Sequence, residues 1–123
     1  EQVLGRQGRD VGGGLFQLTA PRAETTTAMG HPLLPAMGVV TVMNFQPTGD
    51  GRAAITGDFV LVDREVNPVA RALRQHGIEV TAIHNHGLFD TPRLFYMHFW
   101  ASDDPAKLAQ GLKAALDLTN SRR

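Results

Sequence analysis

His84 and His86 stand one residue apart in a stretch, Ile78 to His86, whose β-branched and apolar residues read as a strand. Side chains alternate along a strand, so both imidazoles leave one face and Asn85 leaves the other. His98 falls on the next strand, Arg93 to Ala101, after a turn at Gly87-Leu88-Phe89-Asp90-Thr91-Pro92. If the two strands pair, the three rings converge within a few ångströms. Imidazole suits zinc, copper, iron and nickel, and three neutral nitrogens leave a coordination position open for water or substrate. The expected cofactor is a divalent transition ion, Zn²⁺ or Cu²⁺. A fourth ligand can come from Glu65, just before the first helix, or from Asp58 on an earlier strand; Glu65 is also the candidate catalytic base. Tyr96 and Trp100, on the His98 face, and Arg93, at the start of that strand, are the candidate ligand-contacting residues beside Asp58.

A blander role is open to the same histidines. His86 lies at a strand end, where a hydrogen-bonded surface His is common, and His98 sits among Phe95, Tyr96, Met97, Phe99 and Trp100 as a core histidine can. His31, in a Pro-rich loop, and His76, at a helix end where it can serve the last carbonyls, are not site candidates. Gly12-Gly13-Gly14 lacks the Lys and Ser/Thr that grip phosphate and magnesium, so it reads as flexible loop. His84-Asn85-His86 is not the dispersed ββα arrangement of an HNH nuclease, and no Gly-x-Ser-x-Gly elbow occurs. Asp103-Asp104 reads as helix capping. Arg22, Arg64, Arg93 and Arg122-Arg123 read as scattered, solvated charge.

The elements that must position these residues follow in order. Residues 1–14 form a lead-in loop. Leu15 to Arg22 alternates as a strand, and 23–37 are loop or a short hairpin. Val39 to Gln46 and Ala53 to Val62 form a hairpin around Pro47-Thr48-Gly49-Asp50-Gly51. Asn67-Pro68 starts a helix that Gly77 stops; the two histidine-bearing strands follow; Asp104-Pro105 starts a second helix, to about Leu118. The order β-ββ-α-ββ-α predicts an α+β fold, a single antiparallel sheet with two helices packed on one face. The last strand is apolar on both faces: Leu94, Tyr96 and Trp100 accompany His98 on one, Phe95, Met97 and Phe99 share the other. Helices cover only one of them. The second calls for the N-terminal segment, loop 23–37, a ligand or a second subunit, and a homodimer is expected.

The length of 123 residues suits a single domain over 1–123, and 42% hydrophobic with 20% charged residues is globular composition. Lys+Arg 12 against Asp+Glu 12 gives net charge +0, which leaves no basic footprint for nucleic acid. No apolar run reaches the roughly 20 residues of a membrane span. With Cys 0, disulfides, thiolate metal sites and cysteine nucleophiles are excluded. The first residue is Glu1, so an upstream segment is expected to have been removed, a signal peptide among the candidates.

Gly57-Asp58-Phe59-Val60-Leu61, Glu65-Val66-Asn67-Pro68-Val69 and Gly77-Ile78-Glu79-Val80-Thr81-Ala82-Ile83-His84-Asn85-His86 resemble the LppY/LpqO family, bacterial proteins built on a domain of unknown function. Pro92 to His98, the Leu108 to Leu116 helix and the opening from Leu4-Gly5-Arg6 to Pro21-Arg22 extend the resemblance over nearly the whole chain. It implies a bacterial, extracytoplasmic protein, several relatives being predicted secreted lipoproteins, and no established reaction. Some relatives carry the domain twice; a single copy is then expected to self-associate. This chain departs from the family in having Phe99-Trp100-Ala101-Ser102 where Gly-Gly often follows the histidine strand, and in lacking the lipoprotein cysteine. Two functions follow as expectations: a metal site used for binding or for hydrolytic or oxidative chemistry, or a non-enzymatic envelope module that binds a partner or small ligand.

Overall fold

The structure, a computed structural model, describes residues 1–122; Arg123, read above as solvated charge, lies outside the described residues. Strands β1 (Arg9–Gly12), β2 (Leu15–Pro21), β3 (Thr27–Ala28), β4 (His31–Pro32), β5 (Val40–Pro47) and β6 (Ala53–Leu61) precede helix α1 (Asp63–Gln75). Then come β7 (Glu79–His84), β8 (Asp90–Thr91), β9 (Phe95–Asp103) and helix α2 (Pro105–Leu116). The main sheet has six strands in the order β1-β2-β5-β6-β9-β7, and its pairs are antiparallel. The expected α+β architecture is what the chain adopts. A small second sheet, β4-β3-β8, is added to it.

One face of the main sheet carries Leu18, Met43, Ile55, Phe59, Met97 and Phe99, which pack against Val69 and Leu73 of α1 and Leu108 and Leu112 of α2. These positions alternate along each strand, so the helices bury every second residue. The Phe59 and Phe99 rings meet at 5.6 Å between centroids. Gly57 faces Phe99 from the neighbouring strand at φ 153°, where a Cβ would stand 2.0 Å from the Val42 carbonyl oxygen. Only glycine lets β5 and β6 close at this point.

The cover on the second face comes from within the chain along one half of the strands. Val60, Val62, Leu94 and Tyr96 form a separate buried cluster with Val39, and Leu33 packs against it. Loop 23–37, one of the covers expected for this face, contributes Leu33 to it. It holds its shape through the β3–β4 hairpin, whose turn puts Met29 and Gly30 at φ 50° and 81°, and through β8, which pairs with β3. The other half of this face stays open around Trp100, which is 44% exposed.

Three sequence expectations need correction. Residues 9–12 are not loop: β1 pairs with β2, and glycines 12 to 14 make the turn. The segment 87–92, expected to be only a turn, carries β8. Helix α1 starts at Asp63, not at Asn67-Pro68, and Pro68 lies inside it. Val62, the residue before the helix, has no side-chain acceptor, but the Glu65 carboxylate takes the Val62 N–H at 2.9 Å. That bond fixes the start one turn earlier, at the cost of the backbone bond that Pro68 cannot donate. Asp104 caps α2 as expected, accepting the Lys107 N–H at 3.0 Å.

Candidate metal centre

The site is built by β7, its C-terminal extension and β9. In the β7–β9 ladder Val80 pairs with Phe99 and Ala82 with His98, so Thr81 is an extra residue, a β-bulge. The bulge reverses the phase of the strand. Before it, Val80 packs on the helix-side core; after it, Ala82 and His84 stand on the same face as their partners His98 and Tyr96. If the strand ran on from Val80 with regular pairing and no bulge, His84 would share the helix side with Val80.

His86 lies two residues beyond the end of β7, yet its ring stays with the others. Asn85 anchors this stretch, donating from Nδ2 to the Leu94 carbonyl at 2.6 Å. Arg93, expected to reach a ligand, instead donates to Asn85 Oδ1 at 3.4 Å and helps hold the anchor. The His86 ring lies flat on Tyr96, with centroids 3.4 Å apart and planes within 6°. His84 stacks on His86 at 5.0 Å and on His98 at 4.8 Å. One ligand nitrogen from each of His84, His86 and His98 lies within 4.8 Å of the others, so the triad could hold a metal ion.

The donor set fits a transition ion. Four-coordinate zinc with Zn–N near 2.0–2.1 Å holds its ligand nitrogens about 3.4 Å apart. The triad must close by an ångström or so, which His84 and His86, both exposed, do by rotation about χ1 and χ2. His98 is the fixed member, and its Nε2 is buried with no hydrogen-bond partner among the described residues. Such an atom is costly unless something is bound to it.

Asp58 pairs directly with His98 across β6 and β9. Burial pushes its carboxyl above the ordinary range, and the charges of His98, His86 and His84 oppose that rise. The same field acts on His86, whose pKa is lowered by burial and by His84, with Asp58 pulling the other way. Tyr96 is pushed up to about 12 by burial and by Asp90 and Asp58, so it is a neutral phenol under the imidazole. Trp100 lies two residues beyond His98 on β9, on the same face, beside a groove of about 480 Å³ that His98 and Asp58 also line.

Glu65 is not part of this group. Its Oε1 accepts from Arg22 Nη1 at 2.7 Å and its Oε2 accepts from Asn120 N at 2.8 Å. Both oxygens are spent where α1 begins, on Arg22, Asn120 and the Val62 N–H, and Glu65 is not among the residues grouped with the three histidines. Arg22, expected to be solvated, is 3% exposed and holds Glu24 as well as Glu65. Burial opposes its charge, but hydrogen bonds to the two carboxylates outweigh that and raise its pKa. The sequence signal for this pair was Glu65 itself, three residues into a helix whose N-cap lacks an acceptor. Asn44 and Thr56, which line the groove, were also missed; counting by two from Asp58 along β6 leads to Thr56, and its register partner on β5 is Asn44.

No curated protein and no solved structure matches the chain. A family model described as Domain of Unknown Function (DUF1259) matches residues 1–118. With all but the last few residues covered, the chain belongs to the DUF1259 family.

Proposed function

We propose that this domain is a divalent-metal protein whose centre is His84, His86 and His98, with Zn²⁺ or Cu²⁺ as the ion. The observation that carries the reading is the convergence of three imidazoles on an open face, one of them with a buried nitrogen that has no other partner among the described residues. Three nitrogen ligands leave a coordination position for water or a ligand, and a metal of this kind acidifies bound water toward neutrality. Asp58, the other carboxylate offered by the sequence, takes the role first given to Glu65: it stands in register beside His98, and it accepts a proton at the site. Hydrolytic chemistry on a small ligand in the adjoining groove is the activity this arrangement supports best. The resemblance described above supports an extracytoplasmic setting.

Calorimetric titration of untagged protein with Zn²⁺ and with Cu²⁺ tests the reading. One ion per chain, lost in His98→Ala, is the expected result; absence of binding by either ion at neutral pH removes the proposal. The second reading, an envelope module that binds a ligand without chemistry, rests on the same open groove and separates from the first by whether metal is required.

A further inference from the structure

We propose that the groove beside the triad binds a neutral saccharide, with Trp100 as the platform for one sugar ring. Gln17, Asn44, Thr56 and Trp100 form a straight row across four neighbouring strands, on the face that carries the histidines. Two residues along the strands, about 7 Å away, runs the row of Val42, Asp58 and His98. The groove of about 480 Å³ lies over these rows.

The groove presents one flat aromatic surface within a polar rim. Trp100 is 44% exposed, whereas Tyr96 and Phe99 on the same strand are each 2% exposed. Asn44 Oδ1 is held by Gln17 Nε2 at 2.9 Å, which fixes the amide so that its NH₂ turns away from Gln17. Among the described residues neither that NH₂ nor the Thr56 hydroxyl donates to another protein group. Asp58 adds an acceptor beside them.

A pyranose matches this set. The C–H bonds on one ring face carry slight positive charge and meet the negative face of the indole. Its hydroxyls both donate, to Asp58, and accept, from Asn44 and Thr56. Other ligand classes fit less well. Among the described residues no Lys or Arg lines the groove to hold a phosphate or polyanion. A lipid chain would strand Asp58 and Asn44 without partners. An organic cation has a single indole rather than a cage, and a divalent ion on the triad repels it. What the sugar does there rests on the metal reading: a hydroxyl or glycosidic oxygen beyond the Trp100 ring comes beside His98 and the ion.

Trp100 is the chain's single tryptophan, so its emission reports the groove alone. The full chain is titrated with cellotetraose, chitotetraose and xylotetraose, with and without Zn²⁺. A saturable change in emission with at least one of the three is expected. By calorimetry Trp100→Ala and Asn44→Ala each lose about tenfold in affinity, the size of a lost stacking contact for the first and of a lost hydrogen bond for the second. Trp100→Phe keeps most of the binding, and Zn²⁺ affinity in Trp100→Ala is unchanged. No response to any of the three sugars while Zn²⁺ still binds overturns the saccharide and leaves the metal centre standing. A response to tetramethylammonium or inorganic phosphate in place of the sugars also overturns it. Sugar binding that needs Trp100 in a protein that binds no Zn²⁺ upholds the groove and removes the metal reading.

Discussion

Side chains that look alike in the sequence divide sharply once placed. Among the acidic residues offered by the sequence, Asp58 pairs in register with His98, whereas Glu65 is tied to Arg22 and Asn120. Glu65→Gln is expected to leave metal affinity unchanged and to lower stability by about 3 kcal/mol, toward the low end for a broken buried pair because Glu24 still holds Arg22. Urea unfolding and zinc calorimetry on the same sample read both quantities. Asp58→Asn is expected to do the reverse, with affinity down about 10–100-fold and little change in stability. At the triad, His84→Ala and His86→Ala abolish binding, while Asn85→Ala keeps the ligands and loses the bond to the Leu94 carbonyl. It weakens affinity only through looser placement of His86. Binding falls on acidification as protons compete for the imidazoles. Because burial and His84 lower the His86 pKa, that ring stays available below the usual imidazole range near ~6.5. Glu24 also loses its contribution on acidification, there to the stability of the fold. Burial raises its pKa, but the hydrogen bonds to Arg22 and Asn120 win and lower it. Its stabilising contribution is therefore fully present above the ordinary carboxylate range and lost as pH falls from there through the lowered folded-state value. The histidine triad was legible because His-x-His and a third His lie on consecutive strands. Arg22 was not, because its partner Glu65 lies 43 positions away and nothing local marks an arginine as buried.

Among the elements, those with long periodic runs could be read and the short ones could not. The β5–β6 hairpin and α2 fall close to their expected bounds because Pro-Thr-Gly-Asp-Gly and Asp-Pro are strong local signals. Strands β3, β4 and β8 have two residues each, too few for any alternation to show. The start of α1 was misplaced because Asn-Pro is a good start signal, while the Glu65 bond that decides the matter works backwards along the chain. The bulge at Thr81 is the hidden element of the site, since period two counted from Val80 would place His84 under the helices. Deleting Thr81 makes Ala82 follow Val80 directly, so the ladder becomes regular with His84 still opposite Tyr96, and metal binding should be retained. Circular dichroism alongside zinc calorimetry checks this. On β6, Gly57→Ala is expected to destabilise by about 1–3 kcal/mol through overpacking against Val42 and Phe99, read as a shift in urea midpoint.

For the whole molecule, the triad links an edge strand to the interior of the sheet. His84 and His86 belong to β7 and its extension, the last strand of the main sheet, and His98 to β9, next to it and closer to the centre. An ion that binds only the folded chain stabilises it by about 2.7 kcal/mol at a hundred times its dissociation constant. For a domain of this size that raises Tm by about 10 °C. The gain should be concentrated where the ion clamps. Amide exchange in β7 slows on adding Zn²⁺, while exchange in β1, at the opposite edge, does not change. The inner core stands without the metal, because both helices and the buried face of the sheet are complete in the described chain. The most direct measurement is diffraction from a zinc-soaked crystal at the metal's absorption edge. The account predicts one anomalous peak per chain, about 2.0–2.1 Å from a nitrogen of each of His84, His86 and His98 and open toward the Trp100 groove. A map with no peak among the three rings, and with His98 Nε2 bonded to Asp58 instead, would contradict it.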